Sequence, residues 1–502
     1  MAVRSTFLGI EVSKRGLAVN QKGLDITSNN VANMNTPGYT RQRVDISSVD
    51  ISGNYRYPAG KTDNAGAGSQ IDGIAQIRNK FLDVRYRDSN ANTGYYEQQV
   101  TILTGVQNAI DEISSEGLLT VYQEAMDAIQ NLSMNPNDTV YAATAKSAIN
   151  NVNLILQQFD KSLRDVAEQQ IYDTSVIIDS TNACLEKIAT INQALLLESN
   201  NELSSVYSSN ELNDQLNYLI DELSEYANID VTWEDDTTAT ITINGHVVVQ
   251  GAWCDKMQLN THDNSTIDVI YKSTGEQVSL SGGAIKANTD YINGDSTVTK
   301  GIQYYIHRMD DFAVYFAGIM NNTIQENVYQ LDADGNKVLD QNGDPIVIGK
   351  QYKTLIETND GTDTITAGNI TISDEWRAAD AYIMDDRPEG DNQNTSFLQL
   401  ISKLEGELKI DNFRGTLEDF IEVLNTDVGE DIVFAKSRYD ACQIITTDLD
   451  NSRDEISGVS YDEEGANLIM YEKAYSAMAR VMTAMDEVLD KLINGTGLAG
   501  RG

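Results

Sequence analysis

The run from Leu468 to Leu492 limits the fold more than any other stretch of this chain. Leu468, Tyr471, Tyr475, Met478, Met482, Met485, Leu489 and Leu492 follow one another in alternating steps of three and four, the spacing of a helix with one continuous apolar seam. Ala474, Ala477, Val481 and Val488 widen the seam, while Glu472, Lys473, Arg480, Asp486, Glu487, Asp490 and Lys491 mark the wet side. A one-faced helix is marginal alone, because tertiary packing rather than propensity supplies most helical stability. The seam therefore predicts a partner.

The other end of the chain offers one. Val3, Ile10, Leu17, Leu24 and Val31 recur every seven residues with Phe7 beside them, and no proline interrupts the stretch before Pro37. One strong apolar position per heptad makes a narrow helix, suited to lie against a richer one. The two ends are expected to be halves of one coiled element. The alternative is two unrelated surface helices on a globular core.

Charge and cysteine content remove several function classes. The 36 Lys and Arg against 76 Asp and Glu give a net charge of -40, and no basic run offers the concentrated positive surface that nucleic acid requires. Anionic membranes are disfavoured for the same reason. The N-terminal segment reverses the sign locally through Arg4, Lys14, Arg15, Lys22, Arg41 and Arg43, which suits an acidic C-terminal partner. Cys184, Cys254 and Cys442 are odd in number and far apart, which fits neither a disulfide scaffold nor a zinc knuckle, and His246, His262 and His307 are equally scattered. No run of about 20 apolar residues would span a bilayer. The N-terminus lacks the pattern of a cleaved signal, so an external location would need another export route.

Along the chain, the asparagine-rich Asn29–Gln42 stretch with Pro37-Gly38 predicts a helix stop and reversal. Residues 40–78 read as an extended or hairpin region that includes the Gly-rich 59–73. From Asn79 to about Ala227 the chain is helical, with its clearest break at Asn135–Asp138, and 139–198 contains neither glycine nor proline. Residues 229–300 change to β periodicity around an Asn244-Gly245 turn. A helix is expected at 302–330 and a second β-rich piece at 331–374, with helices resuming at 394–411, 415–426 and 428–454. Ser460 with Glu463 has the spacing of a capping box, and Asn494–Gly497 reads as a C-terminal stop. The expected fold is mainly α with inserted β domains.

Chemistry finds little purchase in this sequence. Asp332–Asn336 and Asp340–Asp344 resemble calcium loops, but the sixth and twelfth positions counted from Asp332 are Lys337 and Gly343, where such a loop needs Gly and Glu, so turn chemistry is the better account. Asp462, Glu463 and Glu464 fit a capped first turn better than an acid–base pair. Nucleophile elbows, phosphate loops and Cys/His nucleophile spacings are missing. No catalytic, cofactor or metal residues are expected.

Both ends resemble the bacterial flagellar rod, hook and hook-associated proteins. The residues concerned are Leu17–Gln21, Asn29–Asn33 and Thr36–Tyr39 at one end, and Ser457–Val459, Tyr471–Tyr475 and Asp486–Leu489 at the other. Tyr39–Gln42, the Tyr461–Ile469 stretch, Asn213–Leu216 and Gly390–Asn392 are nearest to the members that join hook to filament. Glu472 stands where the family usually has glutamine, and its Asp-Gly-Arg-type loops are only loosely echoed. The resemblance implies a coiled inner domain of 1–78 with 455–502. It implies an elongated helical domain of 79–227 with 302–330 and 394–454, and outermost β-rich insertions at 229–300 and 331–393. It also implies a structural subunit joining hook to filament for motility, assembling through the two apolar seams. Other axial subunits of hook or rod, or a secreted coiled-coil adhesin, are the alternatives. The partners implied are like subunits in a ring, hook protein, the second junction protein or filament subunits, and an export chaperone on the C-terminal helix. The expected location is extracellular, reached through the flagellar secretion apparatus without a cleaved signal.

Overall fold

The computed structural model describes residues 6–49, 66–111, 117–199, 210–234, 238–262, 265–332, 336–341, 343, 345–384, 394–410 and 413–495. Val3, residues 59–65 of the Gly-rich 59–73 stretch and Gly390–Asn392 lie outside them. The architecture is mainly α with small β insertions, as the sequence predicts. Helix α1 (Thr6–Ala32) is followed by the antiparallel pair β1 (Gln42–Ser48) and β2 (Ser69–Gln76), in the region expected to be extended.

The helical body then begins. Asn79 accepts the Phe81 N–H through its side chain at 3.0 Å and starts α2 (Lys80–Asp111). After α3 (Leu118–Met134), the Asn135–Asp138 break works as expected: the Asp138 carboxylate takes the Val140 N–H at 2.8 Å and starts α4 (Thr139–Ser199). This helix has 61 residues and a length of about 90 Å, possible because nothing in its sequence interrupts the hydrogen-bond ladder. Helix α5 (Asn210–Tyr226) packs back on it.

The β insertion starts as a four-stranded meander, β3 (Asp230–Glu234), β4 (Thr238–Ile243), β5 (His246–Gln250) and β6 (Trp253–Cys254), followed by the hairpin β7 (Met257–His262) and β8 (Thr266–Tyr271). Asn244 and Gly245 take φ of 47° and 86° at the expected hairpin turn. Leu185, Ile188, Leu216 and Ile220 of α4 and α5 form one core with Ile241 and Val249 of the sheet. Helix α6 (Ala284–Asn293) occupies the end of the stretch expected to be β.

Two expected helices are shorter than their sequences suggest. Helix α7 (Ile302–Asn321) ends where the Asn321 side chain accepts the Leu355 and Ile356 N–H groups at 2.8 Å each, and Gln325–Tyr329 becomes β9, paired with β10 (Val347–Tyr352). Asn336 N–H donates to the Asp332 carboxylate in the intervening stretch, which is turn chemistry. The pair β11 (Ile356–Thr358) and β12 (Ile370–Ile372) leads into the short α8 (Asp374–Ala378). Helix α9 (Asn394–Leu404) stops near Gly406 and gives way to the hairpin β13 (Leu408–Ile410) and β14 (Phe413–Gly415).

The expected pair of helices at 415–426 and 428–454 is instead the single α10 (Leu417–Ser457), opened by a complete Thr416–Asp419 capping box. Gly429 does not break it, since one glycine costs only about 1 kcal/mol and Val428 and Ala435 on either side are buried. Tyr305, Phe312, Phe316, Trp376, Phe397 and Phe420 centre the main core of the body. The chain closes with α11 (Tyr461–Asp490) and one π-helical turn, Lys491–Gly495.

Candidate assembly interface

Helices α1 and α11 pack together as an antiparallel pair, the two ends of the chain forming one element. Glycine sets their approach. A Cβ at Gly9 would lie 3.1 Å from the Met485 sulfur, one at Gly16 3.1 Å from the Met478 sulfur, and one at Gly23 2.6 Å from the Tyr471 ring. Three glycines seven residues apart thus make hollows for three large side chains seven residues apart, the knobs-into-holes logic with the hole reduced to backbone. The next heptad step is polar, Asn30 Nδ2 donating to the Glu464 carboxylate at 3.3 Å.

The seam residues expected from sequence divide between two settings. Tyr471, Met478 and Met485 fill the glycine hollows and are half-buried, as are Met482 and Leu489. Leu468, Tyr475 and Leu492 are 38 %, 37 % and 46 % exposed. Ile10, Leu17, Leu24 and Val31 are half-buried on the flank of α1, while the buried positions are Ser13, Gly16, Val19, Gly23, Ile26, Thr27 and Asn30. Hydrophobic periodicity passes over the glycines because it has no symbol for a hollow; their own seven-residue spacing is the available signal.

The neck between this pair and the body is a dense hydrogen-bonded node. Asn30 Oδ1 accepts the Gln42 N–H at 3.0 Å and the Tyr39 hydroxyl at 2.8 Å, while its Nδ2 donates to the Gln42 carbonyl at 2.9 Å. Arg41 Nε donates to the buried Glu464 at 2.8 Å, its Nη1 to Glu463 at 2.6 Å, and its N–H to the Ser457 carbonyl at 2.9 Å. The expected capping box does not form: the Ser460 side chain makes no capping bond, and the Glu463 carboxylate is held by Arg41 from the other end of the chain. Gly38 turns the chain with φ of 77°, and a Cβ there would meet Tyr218 at 3.1 Å. Burial, with Asp214, Glu464 and Glu211 nearby, pushes the Tyr39 hydroxyl far up, so it stays a donor.

Asp214 of α5 ties the neck to the body. Its Oδ1 accepts the Thr40 N–H at 3.1 Å and Gln76 Nε2 at 2.7 Å, and its Oδ2 is buried without a hydrogen-bond partner. Burial pushes this carboxyl up to about 6, against the pull of Thr40, Arg78 and Gln76.

A buried charge network lies just beyond. Asp221 receives Arg87 Nε at 2.7 Å and Arg453 Nη2 at 2.5 Å, and Asp83 receives Arg78 Nε at 2.7 Å and Arg453 Nε at 3.1 Å. Burial alone would raise the Asp221 carboxyl, but Arg87, Arg453 and Arg78 together hold it below its usual value. The guanidinium of Arg453 also lies over the Tyr86 ring at 4.2 Å. These ion pairs bind α2, α5 and α10 where the two end segments enter the body.

Among the described residues, no cluster of His, Cys, Asp and Glu is arranged to hold a metal ion, and no helix is long and apolar enough to cross a membrane. The neck borders a polar cavity of about 870 Å³ containing Arg41, Asp221, Asp450 and Arg453, all engaged in the ion pairs above or beside them.

The chain is similar to known proteins over most of its length. Residues 103–341 match the family described as flagellar hook-associated protein FlgK helical domain, 10–40 match the flagella basal body rod protein family, and 451–495 match the flagellar basal body rod FlgEFG protein C-terminal family. The flagellar hook-associated protein 1 of Bacillus subtilis is 27% identical across 99% of this chain and 100% of its own length. That of Escherichia coli is 24% identical across 95% of this chain and 98% of its own. The solved flagellar hook junction protein of Burkholderia pseudomallei shares the fold, with a TM-score of 0.57 over 74% of this chain and 100% of that one at 11% identity. Over nearly its whole length the chain is similar to the hook-associated protein 1 members of the flagellar rod, hook and hook-associated proteins.

Proposed function

We propose that this chain is a structural subunit of the bacterial flagellum that joins hook to filament and assembles through its terminal helices. The observation that carries this reading is the split seam. The α1–α11 pair spends Tyr471, Met478 and Met485 on its own glycine hollows and leaves Leu468, Tyr475 and Leu492 at the surface, beside the half-buried Ile10, Leu17, Leu24 and Val31. A two-helix element with apolar flanks is completed by further helices of the same kind, as copies stacked around an axis would supply. Val3, Ile10, Leu17, Leu24, Val31 and the eight α11 seam residues are assigned to this assembly, with Tyr471, Met478 and Met485 acting within the α1–α11 pair and the others toward neighbouring subunits.

Like subunits in a ring, hook protein on one side and the second junction protein or filament subunits on the other are the partners this role requires. An export chaperone that covers the α11 seam before assembly fits the same chemistry, because an exposed Met- and Tyr-bearing stripe invites aggregation. Delivery to the outside through the flagellar secretion apparatus, without a cleaved signal, completes the reading. A structural role asks for no catalysis.

The deciding experiment removes residues 468–502 in a strain dependent on this chain. A truncated chain with the melting temperature of the intact body, in cells that shed their filaments, supports the proposal. Filaments held firmly by the truncated chain overturn it.

A further inference from the structure

The end pair repeats itself every seven residues, and one step breaks the repeat. Gly9 faces Met485, Gly16 faces Met478 and Gly23 faces Tyr471, while the fourth step sets Asn30 against Glu464. Glu464 is the most buried residue of α11, at 2 % exposed, in a helix whose seam is otherwise apolar and only half-buried or exposed. Its Oε2 accepts Asn30 Nδ2 at 3.3 Å and its Oε1 accepts Arg41 Nε at 2.8 Å. Asn30 is 1 % exposed and is pinned from the neck by the Gln42 backbone and the Tyr39 hydroxyl, so its position does not depend on α11.

Without that fourth step, the pair would close equally well one heptad out of place. Moved outward by seven residues, α11 brings Met485 to Gly16 and Met478 to Gly23, and Leu492 is next in line for Gly9. Along the other row of the seam, Tyr475, Met482 and Leu489 take the places of Leu468, Tyr475 and Met482. Seven residues of helix rise about 10 Å. Unwinding Tyr461–Asn467 supplies that length, since an extended residue advances about 3.3 Å against about 1.5 Å in a helix. The opposite slip would press the Glu464 carboxylate against Gly23 without its partners, a costly setting for a charge. What the outward slip gives up is specific: Glu464 leaves Asn30 and Arg41, and Tyr471 arrives at Asn30 instead.

We propose that Glu464, held by Asn30 and Arg41, sets the register of the end pair, choosing between two alignments that the glycine hollows by themselves accept. An apolar residue at 464 would simply continue the seam; a buried polar contact in its place costs stability and fixes alignment. The proposal rests on the axial-subunit reading above and deepens it. A slip of one heptad moves the apolar face of α11 by about 10 Å relative to the body, out of step with the same face on neighbouring copies.

The test places a photo-crosslinking phenylalanine analogue at Tyr475 of the full-length chain, purified and kept dilute, and maps the attached peptide by mass spectrometry. Tyr475 lies between Tyr471 and Met478, which face Gly23 and Gly16, so the parent should attach within residues 16–23 of α1. Glu464→Leu should move the adduct, in whole or in part, to 24–30. Glu464→Gln retains an oxygen for Asn30 and Arg41 and should keep the parent's site. Leu492→Asp added to Glu464→Leu should return the adduct to 16–23, since the slipped alignment would carry a carboxylate to Gly9. An adduct that stays at 16–23 or disappears in Glu464→Leu, one spread over both segments in the parent, or none on α1 in either chain overturns the inference. Each of these results comes from single chains with no hook or filament present, so the proposed function stands or falls separately, on filament retention by the truncated chain.

Discussion

At the scale of single residues, two helical glycines should respond to the same substitution in opposite directions. Gly465 of α11 faces open space, with no atom within 4 Å of where a methyl group would project, so Gly465→Ala should gain about 0.5 to 1 kcal/mol from helix propensity alone. Gly23 gains the same propensity, but its Cβ would press on the Tyr471 ring at 2.6 Å, and the ring cannot leave without opening the α1–α11 pair. Gly23→Ala is therefore expected to speed protease cleavage of both ends, while Gly465→Ala slows it. Asp214 provides a test by pH. Its folded-state carboxyl is pushed up to about 6 from an ordinary 3.8, so the folded chain holds the proton more tightly than the unfolded one. Stability from this group is highest below pH 4, falls as pH rises toward 6, and above that carries the full penalty, on the order of 3 kcal/mol at most. Asp214→Asn should flatten the dependence between pH 4 and 6 in thermal melts; an unchanged slope would assign it to other carboxyls.

Among the elements, α2, α5 and α10 hold the body together around Asp221, whose removal would take the carboxylate from the buried Arg87 and leave Arg453 to Asp83. Breaking a buried pair by deleting one partner costs about 3 to 5 kcal/mol, so Asp221→Ala should lower the body's urea midpoint far more than a surface Asp→Ala does. Unlike Asp214, Asp221 is held below its usual value, so its contribution is complete at neutral pH and is lost only as pH falls through that lowered value. The end helices behave differently. They share one narrow contact and keep apolar flanks in water, so limited proteolysis of a dilute sample should remove roughly the first and last forty residues before it cuts the body. Resistance of both ends in a dilute monomer would contradict the assembly reading.

Over the whole molecule, charge and apolar surface oppose each other. A net charge of -40 keeps separate copies apart, while the exposed apolar side chains of α11 would draw them together in the proposed assembly. Self-association measured by sedimentation should therefore strengthen as salt rises from about 0.05 M to about 0.5 M, because screening removes the repulsion and leaves the apolar contacts. Weaker association at higher salt would mean that ion pairs, rather than these apolar side chains, carry the contact.

Much of this was legible in the order of residues. The uninterrupted 139–198 stretch, the Asn135–Asp138 break and the Asn244-Gly245 turn each act through neighbours a few residues away, so the sequence alone determined the long helices and the hairpin; the seven-residue spacing of the two ends marked two one-faced helices, and their pairing was decided by contacts across the whole chain. Tertiary structure decided what depends on distant partners. Arg41 came to hold Glu463, whose expected cap did not form, Asn321 stopped α7 by bonding to a strand some thirty residues on, and packing against α2 carried α10 through Gly429. Likewise, a glycine is only an absence in sequence; it became a hollow when Tyr471, Met478 and Met485 were brought across to fill it, since a local pattern fixes backbone habit and only a partner's side chain fixes what a gap is for.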